Sequence, residues 1–196
     1  MATLRQPSTA PPTETPSATI QAPLLSDFLG TWSVTHSSLP MWRKSRNVRI
    51  TYTALPNKTP VCLDDEVSYQ KLGSKSISTV KGVDKPFLSD DAATEGTDGQ
   101  RASLGYNWRG KGWLMIATSK WEVLGYGDEE GSGNKWVVTY FAKTLFTPAG
   151  VDFYSRSGPL QPGTVEGIKE GLKGLGGDVA KLAEQVFEVA MDGDRD

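Results

Sequence analysis

The chain is poor in the residues that most often carry catalysis, metal binding or cross-links. Among 196 residues there is one cysteine, Cys62, and one histidine, His36. A lone cysteine excludes an internal disulfide and fits a reducing compartment. One histidine excludes most clusters that hold zinc or another transition metal, so no metal and no cofactor are expected. No Gly-x-Ser-x-Gly nucleophile elbow occurs. The nearest approach to a phosphate loop, Gly105 to Gly110-Lys111, has Gly112 where that motif needs Ser or Thr, so it reads as a turn. Charge of one sign is lacking too. The 21 basic and 23 acidic residues leave a net charge of -2 without a like-charge run, which argues against nucleic acid or an anionic membrane as partner. No apolar run is long enough to span a bilayer, and residues 1–23 hold no apolar core of a secretory signal. The expected location is cytoplasmic.

What is present is organised as one domain with extra segments at its ends. Residues 1–23 are rich in Ser, Thr, Pro and Ala, bury little, and read as a flexible tail. From there to about residue 160, short alternating segments are broken by turn residues. The strands expected are 30–36, 48–53, 61–70, 76–81, 101–108, 112–125, 134–144 and 150–156, separated by breakers such as Gly131-Ser132-Gly133. Eight strands joined by neighbouring turns close into an up-and-down barrel that can hold one small ligand. Over 161–191 the period changes to that of a helix: Val165, Ile168, Leu172 and Leu175 share a face, and Gly167, Gly171 and Gly174 line a flank. That glycine stripe implies close apposition to the barrel wall or a marginal helix. A second stripe, Val179, Leu182, Val186 and Val189, follows Asp178, and 192–196 read as a frayed end.

Three stretches together resemble the lipocalins, within the calycin group and its bacterial-type and apolipoprotein-D-like branch. Phe28-Leu29-Gly30-Thr31-Trp32 matches the first conserved region. Trp136-Val137-Val138-Thr139-Tyr140 stands where the second lies, without its usual aspartate. Tyr154-Ser155-Arg156, followed by Pro159 and the helix, matches the third. The resemblance implies an all-β, eight-stranded antiparallel barrel with a C-terminal α-helix packed outside. It also implies that Trp32 closes the floor under Arg156, a cation over an indole face.

Strand parity then yields candidate site residues. With Trp32 inward, Val34 and His36 follow, and His36 stands toward the open end as acid, base or donor, or as a wetted rim residue. The more aromatic face of each later strand is assigned inward. This gives Tyr52, Tyr69, Tyr106, Trp108, Trp113, Met115, Trp121, Val138 and Tyr140. Trp42, in the long first connection, is read either as part of a lid or as docked on the outer barrel. The inward set either lines a cavity for a flat, aromatic or conjugated ligand or fills a solid core. Asp64-Asp65-Glu66 reads as a solvated turn or strand edge.

Two functions are consistent with this. The first is a carrier that binds or sequesters a hydrophobic small molecule. The second is a cofactor-free enzyme of natural-product biosynthesis, since some fungal lipocalin-like proteins catalyse cyclisation, cycloaddition or isomerisation inside the barrel. In that case His36, Tyr52 and Tyr140 are the catalytic candidates, with Lys120 or Arg49 near a rim.

Overall fold

The computed structural model describes residues 2–14, 17–88, 99–112 and 115–193. Eight strands run up and down around a closed barrel: β1 Gly30–Ser37, β2 Ser45–Ala54, β3 Leu63–Lys71, β4 Ile77–Leu88, β5 Gly105–Gly110, β6 Thr118–Asp128, β7 Lys135–Phe141 and β8 Gly150–Ser155. Each pairs antiparallel with the next, and β1 closes the barrel by pairing β2 through residues 30–33 and β8 through 33–37. Closure leaves none of these eight strands a free edge. A short helix, α1 (Leu25–Phe28), precedes β1, and α2 (Pro162–Gly174) and α3 (Gly177–Gln185) follow β8. The expected eight-stranded barrel with a helix outside is the observed fold.

One element was not expected. After α3 the chain turns into β9 (Phe187–Glu188), which pairs with the end of β1, and Ala190 then bridges Arg46 on β2. This segment bridges β1 and β2 where their own ladder has ended. Val189 packs into the barrel core.

Two apolar clusters separate the inside of the barrel from its outside. The interior holds Trp32, Val34, Val48, Ile50, Tyr52, Tyr106, Trp121, Val123, Val137 and Tyr154. The second cluster lies between the outer face of β7 and β8 and the two long helices, with Ile168, Leu172 and Val179 against Val138, Tyr140 and Phe153. The amphipathic stripes of α2 and α3 therefore cover one outer wall, as the helical period implies.

At the floor, Trp32 lies under Arg156, whose guanidinium carbon is 3.6 Å from the ring centroid. Arg156 also donates to the carbonyls of Thr31 (2.8 Å) and Asp27 (2.6 Å). Gly30 makes this possible: its φ is +92°, and a Cβ there would stand 3.3 Å from the arginine.

The N-terminal segment differs from the flexible tail expected of its composition. Leu4 is buried against Gly125 and Gly171, at both of which a Cβ would collide with its side chain. Arg5 explains the docking. Its guanidinium donates to Val123 O (2.8 Å), Leu104 O (2.9 Å) and Glu122 Oε2 (2.7 Å), and its backbone N–H to Leu124 O (2.8 Å). A composition poor in apolar residues does not reveal that one arginine has a buried carboxylate to meet. The helix glycines are corrected with it: Gly171 admits the N-terminal segment, not the barrel wall, and Gly174 has nothing nearby.

Candidate functional site

The barrel interior is built in two storeys. The lower is a stack of rings. Phe28, carried inward by α1, lies 5.0 Å from Tyr52 and 6.5 Å from Tyr106, centroid to centroid. Trp121 stacks on Tyr106 at 4.7 Å and on Tyr52 at 5.6 Å. Offset stacks of this kind contribute beyond the area they bury. Beside the stack, Trp121 Nε1 donates to Asp84 Oδ1 at 2.8 Å.

Asp84 on β4 and Asp65 on β3 form a buried acidic pair within this wall. As ionised groups, Asp65 Oδ1 and Asp84 Oδ2 would have no donor. Burial pushes the Asp65 carboxyl up to about 7 and, joined by the neighbouring Asp65 charge, pushes Asp84 well above the usual carboxylate range. Two adjoining carboxyls in a dry wall hold a proton between them, because both cannot ionise. The phenols of Tyr52 and Tyr154, both fully buried and both raised by burial first, stand next to this pair.

The upper storey lies under the first connection, 38–44. Its one-turn 3-10 helix, Pro40–Lys44, brings Trp42 over the interior, where it meets Tyr69 edge-on at 5.5 Å. Leu39 fits over Gly150, where a Cβ would come within 2.4 Å of it. A polar latch fixes this cover: Ser37 Oγ donates to Asp152 Oδ1, and Trp42 Nε1 to Asp152 Oδ2 at 3.3 Å. Ser37 Oγ in turn accepts the Leu39 N–H at 2.8 Å. Burial pushes Asp152 up to about 7 against these two bonds. On the far wall the Trp108 indole lies across Gly82, where any Cβ would overlap it at 2.1 Å.

The structure brings together Trp42, Tyr52, Tyr69, Tyr106, Trp108 and Trp121, all in or against the interior cluster. It moves four candidates elsewhere. His36 is displaced by a bulge between Val34 and His36 that reverses the parity of β1. Its ring lies 5.9 Å from Phe153 on the helix-covered outer wall, and burial lowers its pKa. Val138 and Tyr140 also face the helices, with Trp136 beside them; the inward residues of β7 are Val137, Thr139 and Phe141. Strand β7 is buried on both faces, so its richer aromatic side does not mark the interior. Met115 precedes β6 and is 59% exposed. Trp113 lies outside the described residues. Lys120 is exposed on β6, its ammonium 5.4 Å from the Phe87 ring. Arg49 alternates with inward Val48 and Ile50.

Three interior carboxyls escaped the sequence reading. Asp65 is not part of a solvated turn: on β3 it is two residues from Val67 and four from Tyr69, so the parity that places Tyr69 inward also places Asp65 inward. Asp152 likewise alternates with inward Tyr154. Asp84 carried no comparable signal, because its strand extends well past the expected 76–81. Among the described residues, no group of three or more metal-ligating side chains converges. A cleft of about 160 Å³ between α1 and the β6–β7 hairpin, walled by Asp27, Tyr126 and Trp136, is well below the roughly 300 Å³ at which ligand pockets begin.

No protein-family model matches the chain, and no curated protein matches it. Solved structures do. The chain is similar to lobster apocrustacyanin A1, with a TM-score of 0.56 and 12% identity over 86% of this chain and 80% of that one. It is similar to apocrustacyanin C1 at a TM-score of 0.55 and 13% identity, covering 85% and 78%. The siderocalin Ex-FABP aligns at a TM-score of 0.49 and 16% identity over 84% and 93%. At these identities the likeness to the two apocrustacyanins establishes the fold alone, which is that of the lipocalins.

Proposed function

We propose that the barrel binds a hydrophobic small molecule, flat and aromatic or conjugated, that enters at the end covered by Trp42. The observation that carries this reading is the upper storey. There Tyr69 and Trp108 stand part-buried against the interior cluster beneath Trp42, whose place as cover is held by the Ser37–Asp152–Trp42 latch. Ring walls select flat apolar molecules, and a few polar groups among them fix orientation. Asp152, Asp84 and Asp65 are those groups. As buried acids of raised pKa they donate hydrogen bonds as well as accept them, which suits a ligand bearing carbonyl or similar acceptors.

Titration with the amphiphilic aromatic fluorophore 8-anilinonaphthalene-1-sulfonate, read by energy transfer from tryptophan, tests the reading. One-to-one binding, weakened roughly tenfold by Trp108→Ala (about 1.4 kcal/mol), supports it. Absence of transfer, or identical binding by Trp108→Ala and Tyr69→Ala, contradicts it.

The Asp65–Asp84 pair favours a second reading, a cofactor-free isomerase or cyclase. A shared proton beside Tyr52 in a dry, ring-walled space can be delivered to a bound acceptor. The double variant Asp65→Asn, Asp84→Asn keeps an acceptor for Trp121 while removing both carboxyls and the proton they share. It separates the readings: a carrier retains its ligand, whereas an enzyme binds its substrate and no longer converts it.

A further inference from the structure

Beyond the ligand reading, and independently of it, we propose that the open end of the barrel docks on the surface of an anionic lipid bilayer. In an up-and-down barrel the connections after β1, β3, β5 and β7 emerge at one end. Of the exposed large hydrophobic side chains described, all but Tyr126 lie at this end. Tyr126 stands at the other end, where its hydroxyl donates to Gln21 O at 3.0 Å.

The apolar side chains ride at the tips of separate loops. Met41 is in the first connection, Leu72 in the second, Met115 and Ile116 in the third, and Leu145 and Phe146 in the fourth. Ile116, Leu145 and Phe146 are 94%, 95% and 90% exposed. The last two are presented by a built turn. Thr144 N–H donates to Thr147 O at 2.9 Å, and Thr144 Oγ1 accepts the N–H groups of Phe146 (3.1 Å) and Thr147 (3.0 Å). Threonine at the head of such a turn fixes its backbone, so Leu145 and Phe146 point outward because the turn directs them there. In the third loop, Arg109 Nε holds Met115 O at 3.1 Å and Gly110 N–H donates to Ala117 O at 3.1 Å, leaving Ile116 outside.

The charge of these loops has one sign. Their described residues include Arg43, Lys44, Lys75, Lys111 and Lys143 and no aspartate or glutamate, although Lys111 is paired with Asp64 of β3. Exposed acids, Asp27, Asp128 and Glu130, stand at the opposite end. A near-zero net charge thus conceals a basic excess in the open-end loops, which the fold creates by collecting alternate connections, while the opposite end mixes both signs. The balanced sequence charge, which argues against an anionic membrane, does not describe this end.

Two occupants compete for such a face. A second copy docked open end to open end would bring Arg43, Lys44, Lys75 and Lys143 against their own counterparts, with only Glu188 and Asp192 of the C-terminal segment nearby to offset them. Docked open end to closed end, it would set apolar tips and bases against a surface that carries Lys58 and Lys135 beside its acids, with Asp27 already paired to Lys135. An anionic bilayer meets both demands, with the tips entering the boundary between headgroups and acyl chains and the bases against the headgroups. Docking there would bring the Trp42 cover next to a store of apolar molecules.

Co-sedimentation of the full chain with phosphatidylcholine vesicles, with and without about one-third phosphatidylserine, tests the proposal. Binding is expected only to the anionic vesicles, falling steeply between about 0.1 and 1 M salt as the screening length drops from about 10 to 3 Å. The triple variant Ile116→Ser, Leu145→Ser, Phe146→Ser should bind roughly tenfold more weakly with unchanged thermal unfolding, since all three tips are already in water. Lys44→Glu, Lys75→Glu, Lys143→Glu should lose the preference for phosphatidylserine. The proposal is overturned by no binding to either vesicle, by equal binding to both, or by wild-type binding of the apolar variant. Self-association abolished by the apolar variant without any vesicle binding would reassign the face to contact between copies of this chain.

Discussion

Substituting Asp152 by asparagine should reverse sign in its effect on stability as pH changes. The folded protein holds this carboxyl at about 7, against 3.8 for an ordinary aspartate, because burial outweighs the bonds from Ser37 and Trp42. An acid whose folded value is raised contributes stability that is complete below its unfolded value and lost as pH rises through the folded one. Roughly three pH units at about 1.36 kcal/mol each amount to about 4 kcal/mol, lost between about pH 4 and pH 7. Asparagine never ionises and keeps an oxygen for Ser37, but it gives up the bond from Trp42 and buries an amide N–H, a cost of about 1–2 kcal/mol. Asp152→Asn should therefore be about 1 kcal/mol less stable than wild type near pH 4 and about 2–3 kcal/mol more stable near pH 8, crossing near pH 5. Asp65 and Asp84 titrate in both proteins, so the difference isolates Asp152. Urea unfolding across this range, followed by tryptophan fluorescence and circular dichroism, measures it. A difference that stays constant with pH, or a wild type that is the more stable at pH 8, would mean that Asp152 is not held protonated by burial.

Other substitutions test the placement of side chains. His36→Ala and Tyr140→Phe should leave fluorophore affinity within about twofold of wild type, because both residues face the helices. A tenfold change in either would return them to the barrel. Arg5→Ala removes the cation from buried Glu122, which keeps its bonds from Ser8 N–H (2.9 Å) and Thr9 N–H (2.9 Å). The loss should be about 2–3 kcal/mol, at or below the lower end for a broken buried pair, with faster proteolysis within residues 2–13; unchanged proteolysis would contradict the docking. Arg156→Ala should cost about 1–2 kcal/mol through the lost indole contact and carbonyl bonds without altering ligand affinity. Isothermal titration beside thermal unfolding checks both halves of that statement.

The residues that announce the barrel are those whose local demands are strict. Gly30 with its positive φ, Trp32 two residues on, Arg156 at the end of β8 and the helical period after Pro162 each require one particular environment, and each is found in it. Strand alternation was less dependable because parity survives only while the ladder is regular. One bulge in β1 turned His36 outward. On β7 the helices bury the outer face, so both sets of side chains look like core. The segment 112–117 carries apolar residues at strand-like spacing, yet Met115 and Ile116 are at a loop tip. Asp65 was legible through its spacing from Tyr69 but was outweighed by the expectation that adjacent acids are solvated. Docking of Arg5 on Glu122 joins residues 117 positions apart and leaves no local trace.

Native mass spectrometry of protein purified from its own source, with release and identification of any small molecule on denaturation, shows whether the barrel carries a ligand. One co-purifying compound is expected, flat, apolar and bearing hydrogen-bond acceptors, and it should be lost from Trp108→Ala. An empty barrel that also takes up no fluorophore in solution would contradict that expectation, leaving Phe28, Tyr52, Tyr106 and Trp121 as the filling of a solid core.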